Sequence, residues 1–173
     1  MESGNLKTMY YQCLNKELKV NFLSLFILVL SSLNIVEAKS TPAFEDYNVT
    51  NVYKGPVHEL VLTDAEKNYI YGEYLHAAQN AKKVNFSGHY VFFTYGCGGG
   101  ALCSSFLDAK TGHLLDTGTD AYDMEYWKGS ETKPNSSLLI ISGKTVDEKE
   151  SATKYFILKD NSLNLLESKK YKN

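Results

Sequence analysis

Apolar and polar positions are spaced in three different ways along this chain, and each spacing predicts a different element. From residue 63 to residue 83 the apolar positions Ile70, Tyr71, Tyr74, Leu75, Ala78 and Ala81 recur at steps of three and four, which lays them on one face of a helix. Thr63-Asp64-Ala65-Glu66 supplies the start, because Thr63 can cap the first turn while Glu66 reaches back to the Thr63 amide. Gly72, inside that span, disfavours the helix by about 1 kcal/mol relative to alanine and marks either tight packing or a weak point. Lys82 and Lys83 suit the negative end of the helix dipole.

After the helix the period changes to that of strands. GHYVFFTYG, residues 88–96, is apolar on both faces, as expected of a central strand covered on one side by the helix. CSSFLDA is its expected partner, and HLLDTG follows the turn at residues 108–112. SSLLIISG (136–143) and TKYFILKD (153–160) read as two more strands, and Asp160-Asn161 turns the chain into SLNLLES. HELVLT (58–63) reads as a short strand, residues 118–136 as a long polar surface loop around Trp127, and residues 39–56 as an irregular arm. The predicted fold is α+β: one N-terminal helix packed on an antiparallel meander sheet of five or six strands, with residues 57–173 forming a single domain.

The third spacing is a continuous apolar run, NFLSLFILVLSSLNIV at residues 21–36, preceded by Lys16 and Lys19 and followed by Val36-Glu37-Ala38. Basic flank, apolar stretch and small residues at the junction form the layout of a secretory signal peptide, here residues 1–38 with cleavage after Ala38. An uncleaved anchor is the alternative, since the run approaches the ~17 residues that span a bilayer, but two serines and Asn34 interrupt it. With the leader removed, no stable membrane insertion is expected. Translation starts at Met1 or at Met9; the pattern accommodates both.

Removing 38 of the 173 residues leaves 135, enough for one core. Without Lys7, Lys16, Lys19, Glu2, Glu17 and Glu37, fifteen of the 18 basic and seventeen of the 20 acidic residues remain, a net charge of −2. No arginine occurs in the chain, so the planar fork that grips phosphates and carboxylates is missing. Nucleic acid is therefore not an expected partner.

Cys13 leaves with the leader, and the remaining pair, Cys97 and Cys103, reads as a disulfide in an oxidising compartment. It closes the glycine-rich loop YGCGGGALC, where so small a ring contributes about 2 kcal/mol. Tyr95, Gly98, Gly99 and Gly100 are candidate binding residues on that loop, because consecutive glycines can turn several amides toward one point. Tyr122, Tyr126 and Trp127 in the acidic 118–131 region are the other binding candidates, since Tyr and Trp are enriched at interfaces. Tyr69, Tyr71 and Tyr74 read instead as padding at the core edge.

His89, His113 and Asp108 are the only catalytic candidates, a base and orienter set that the strand ends could gather near the loop. A disulfide removes the thiol nucleophile such a set would serve. The histidines show no close metal-ligand spacing, and Asp116, Asp120, Asp123 and Glu125 fail the EF-hand pattern, so neither a metal nor a cofactor is expected.

Asn85-Phe86-Ser87-Gly88-His89-Tyr90, then Gly96-Cys97-Gly98, then Asp108 and Thr111-Gly112, resemble the core pattern of a family of small exported bacterial proteins of uncharacterised function. The resemblance implies export and a disulfide loop, and it implies no activity. In this chain the second cysteine lies further from the first than in that pattern. Taken together, the residues point to a periplasmic or secreted binding module of inhibitor or immunity type, with an envelope or extracellular protein as partner. The alternative is an envelope hydrolase or small-molecule binder centred on His89, His113 and Asp108.

Overall fold

A computed structural model of the chain describes residues 40–171, so the leader at residues 1–38 lies outside the described residues. Single 3-10 turns at Phe44–Tyr47 and Glu66–Asn68 precede the helix α1 (Gly72–Gln79). Then come β1 (Tyr90–Gly98), β2 (Ala101–Asp108), β3 (Tyr122–Asp123), β4 (Gly129–Thr132), β5 (Leu138–Gly143), β6 (Ser151–Lys159) and β7 (Ser162–Tyr171). Two antiparallel sheets result, one of order β1-β2-β3 and one of order β4-β5-β6-β7. The expected α+β arrangement of one helix on a single five- or six-stranded meander is thus incorrect: the protein is mostly β, with two sheets and one short helix.

Two local events account for the difference. The reciprocal Thr63–Glu66 bonds form, with the Thr63 amide donating to Glu66 Oε2 at 2.7 Å and the Glu66 amide to Thr63 Oγ1 at 3.3 Å, but they only close the turn leading into the 3-10 turn at Glu66–Asn68, whose N-cap is Ala65. Gly72 then takes φ +55° and Tyr71 is extended, so the helix restarts at Gly72 and runs only eight residues. In addition, residues 118–136, expected as loop, supply β3 and β4, which end one sheet and begin the other. The sheets meet at a corner where Tyr122 bridges Thr145 and the Asp123 amide donates to the Lys144 carbonyl at 2.9 Å.

β1 is apolar on both faces because both faces are covered. Tyr90 and Phe92 join Phe86, Phe106 and Tyr122 against Leu139, Ile141, Phe156 and Leu158 of the second sheet. Val91 points the other way, into a smaller cluster with Leu107, Ala109 and Ala81 that Tyr53, Val57 and Leu60 help to cover. The stretch 58–63 is part of that cover and makes no ladder; it is tied to the turn after β2 by His58 N to Ala109 O (2.9 Å) and Val61 N to Gly112 O (2.8 Å).

The residues that carry the family resemblance hold this frame together. β1 is an edge strand, and the Asn85 side chain serves as a substitute neighbour, donating to the Phe92 carbonyl at 2.9 Å and accepting from the Phe92 amide at 2.7 Å. That arrangement satisfies an edge otherwise open to another chain. Gly88, at φ +82°, lies so close to the Asn51 carbonyl that a Cβ there would sit 2.8 Å from its oxygen. The Tyr90 hydroxyl crosses to Asn161 Oδ1 at 3.1 Å, joining β1 to the β6–β7 turn.

Candidate functional site

At the far end of the β1–β2 hairpin, Gly98 pairs with Ala101, leaving Gly99 and Gly100 as a two-residue turn. Their φ values, +59° and +77°, are those of the primed turn that matches strand twist, and only residues tolerant of positive φ fit it. Gly98 itself takes φ +93° beside a bulge at Cys97, so all three glycines are explained by backbone conformation. None is explained by crowding, since a Cβ added to any of them would meet nothing within 4 Å. The Cys97–Cys103 disulfide clamps the base of the turn across a Cα separation of 5.7 Å. On the β3 side, the Met124 amide donates to the Gly100 carbonyl at 2.9 Å. The tip is therefore rigid and uncovered.

Beside this hairpin stands a group of tyrosines. Tyr74 of α1 stacks on Tyr95 of β1 with ring centres 4.1 Å apart and planes 5° from parallel, and its hydroxyl hydrogen-bonds Ser105 Oγ at 2.9 Å. Burial pushes the Tyr95 hydroxyl up to about 12 and raises Tyr74 as well. Tyr69 and Tyr71, expected as padding at the core edge, are instead 59% and 71% exposed, and both precede the helix, which begins at Gly72. Two hollows, of about 550 and 570 Å³, share Tyr69, Tyr74 and Tyr95 as lining. The sequence reading missed this feature, and the signal that could have revealed it is Gly72, whose helix-breaking effect was visible.

The candidates in the 118–131 region are placed differently. Tyr122 is only 1% exposed, its ring edge-on to Trp127 at 5.2 Å, and burial moves its hydroxyl far above the ordinary tyrosine range. It is a core residue and offers no contact surface. Trp127 is half-buried against the same core, and Tyr126 lies under the Lys144 ammonium at 3.7 Å, where Lys144 also pairs with Asp123 at 3.3 Å. Met124, 50% exposed and joined to the hairpin through its amide, is the residue of this region nearest the glycine turn in the hydrogen-bond network.

His89, His113 and Asp108 cluster at the opposite end of the hairpin. Register sets this: Tyr90 pairs with Asp108 while Gly98 pairs with Ala101, so the length of β1, roughly 26 Å at about 3.3 Å per residue, separates them from the glycine turn. His89 Nε2 lies 4.0 Å from Asp108 Oδ1. Burial nevertheless lowers the His89 pKa, outweighing the pull of the carboxylate in the other direction. Asp108 Oδ1 accepts the Lys110 amide at 2.8 Å, and the Asp108 amide donates to the His113 carbonyl at 2.9 Å. His113 thus enters this turn through its backbone, with its side chain exposed.

Comparison with protein-family models, curated proteins and solved structures finds no match for this chain. Among the described residues no helix is long and apolar enough to cross a membrane, and the two cysteines are joined. With both sulfurs in the disulfide, the glycine turn carries no free thiol, and it lies a strand length from the nearest imidazole of the His89 cluster. What it presents is a rigid backbone tip flanked by aromatic rings.

Proposed function

We propose that the protein is an exported, periplasmic or secreted binding module, of inhibitor or immunity type, that docks on an envelope or extracellular protein through its disulfide-clamped glycine turn. The leader pattern at residues 1–38 and a disulfide suited to an oxidising compartment support export. Kinship with the exported family is part of the same proposal. The observation that carries it is the open space around Gly98, Gly99 and Gly100, combined with a clamp at their base. A tip already held in one conformation loses little entropy on docking, which is how small rigid binders reach high affinity. Tyr95, paired with Cys103, and Met124, bonded to Gly100, adjoin this end, and with Tyr126 and Trp127 further along the same region they form the rest of the proposed contact surface.

The test separates the turn's shape from its surface. Asparagine tolerates left-handed backbone, so Gly99→Asn is expected to leave thermal stability near that of the wild type while placing a side chain on the tip. Gly99→Val is expected to destabilise by about 1–2 kcal/mol, since a β-branched residue resists positive φ. With the partner retained from envelope extracts on immobilised protein, Gly99→Asn should weaken affinity by about tenfold. Unchanged affinity in that folded variant would remove the glycine turn from the contact surface.

A further inference from the structure

The larger opportunity for small-molecule chemistry lies beside the hairpin. One hollow of about 550 Å³, inside the roughly 300–1,000 Å³ of ordinary ligand sites, is bounded by the turn at residues 63–69, the middle of β2 and the chain at 114–119. Its floor is made of hydroxyls held by one another: Ser104 with Thr119 at 2.6 Å, and Ser105 with Tyr74 at 2.9 Å. A hydroxyl has one donor and two acceptor positions; Thr119 Oγ1 also donates to the Asp120 carbonyl at 3.1 Å, so the Ser104–Thr119 pair keeps acceptor positions only, ready for a ligand's O–H donors, while the Ser105–Tyr74 pair keeps one donor as well. Tyr69 supplies an exposed aromatic wall. Asp116 stands on the rim, and among the described residues its carboxylate has neither a hydrogen bond nor an ion pair.

The charges narrow the ligand class. No lysine lines the hollow and the chain has no arginine, so a phosphate, sulfate or uronate would meet carboxylates with no counter-charge. The nearby Lys67 is paired with Asp64 at 2.8 Å. A cation is poorly served too: Glu66 already accepts from the Thr63 amide and hydroxyl, and Tyr74 and Tyr95 spend a ring face on each other. One exposed carboxylate holds a cation only weakly. A ligand that matches hydroxyls below, a carboxylate acceptor at the rim and an electron-rich ring face at the wall has both O–H donors and a polarised C–H face. We infer that this hollow is a binding site for a neutral saccharide, seated against Tyr69 with its hydroxyls on the Ser104–Thr119 floor and on Asp116. The second hollow, sharing Tyr69, Tyr74 and Tyr95 and reaching Tyr71 and the hairpin, continues the site for a linear oligosaccharide of several rings.

This inference shares Tyr95 with the proposed docking surface, but Tyr69, Asp116 and the hydroxyl floor of the first hollow do not belong to that surface and Gly99 lines neither hollow, and its test uses different probes. The purified protein is titrated by calorimetry with chitotriose, cellotriose and maltotriose, and in parallel with trigalacturonate and spermidine. At least one neutral trisaccharide is expected to bind at millimolar concentration or below, and neither charged probe is. Tyr69→Ala and Asp116→Asn, both at exposed positions and expected to melt with the wild type, should each weaken that binding by about tenfold. Gly99→Asn should leave it intact, which separates failure here from failure of the docking surface. No binding of any of the three neutral sugars, preferential binding of a charged probe, or binding that survives either substitution unchanged would overturn the inference.

Discussion

Replacing Phe106 with alanine is expected to lower stability by about 3–5 kcal/mol, a large part of the roughly 5–15 kcal/mol that holds a domain of this size. Phe106 is fully buried, its ring 5.2 Å from Phe86 and 5.4 Å from Phe92, in the cluster that also takes Leu139, Ile141, Phe156 and Leu158 from the second sheet. Removing it leaves a cavity at the interface between sheets, which neither sheet can close without moving against the other. Phe93, on the opposite face of β1 and only half-buried, should lose clearly less on the same truncation. Chemical denaturation of the two variants measures this. Equal losses would contradict a core placed between two facing sheets.

Gly112→Ala is expected to be nearly as damaging, at about 2–4 kcal/mol, although the change adds a single methyl group, because Gly112 is buried in its turn. Gly112 has φ +77°, and a Cβ there would overlap the Glu59 carbonyl and press on the His58 ring. The same turn receives the Val61 amide through the Gly112 carbonyl, so displacing it detaches the segment that covers the outer face of β1. Gly99→Ala, with a similar φ but nothing within 4 Å, should lose only about 1 kcal/mol. Thermal melts of the two alanine variants should differ by several degrees, and identical melting points would refute the close approach at Gly112.

That contrast shows what the sequence could and could not convey. Hairpin geometry is local, and it was legible: Asp160-Asn161 turns at φ +51° and +60° between Lys159 and Ser162, as its residue types announce. Apolarity on both faces of β1 was legible too, because Val91 and Phe92 point to different clusters. What covers each face is a long-range matter. The second sheet, and not the helix, covers one of them, and nothing local in β4–β7 says that their apolar side will find Phe106. Periodicity from Ile70 to Ala81 suggests a longer helix than forms, because the backbone turns at Gly72.

The candidate site divided along the same line. The glycine turn and its disulfide could be located from Cys97 to Cys103 alone. Tyr122 could not be told from a surface tyrosine, since an aromatic in a polar stretch carries no mark of burial until the corner at Thr145 closes over it. Tyr69 and Tyr71 read as core edge and are exposed for the converse reason: both precede the helix, which begins at Gly72. The distance from the glycine turn to His89 was implicit in the hairpin register: a turn centred on Gly99-Gly100 pairs Tyr90 with Asp108 and carries both to the other end.

Hydrogen exchange of the protein, free and bound to any partner recovered from envelope extracts, tests most directly the proposal that docking occurs at the glycine turn. Amides from Tyr95 to Cys103, together with Met124, are expected to gain protection on binding, while Phe86 to Tyr90 and Asp108 to His113 keep their free-state rates. Protection confined to the His89–Asp108 end, with the glycine turn exchanging as in the free protein, would contradict the assignment of the glycine turn as the recognition surface.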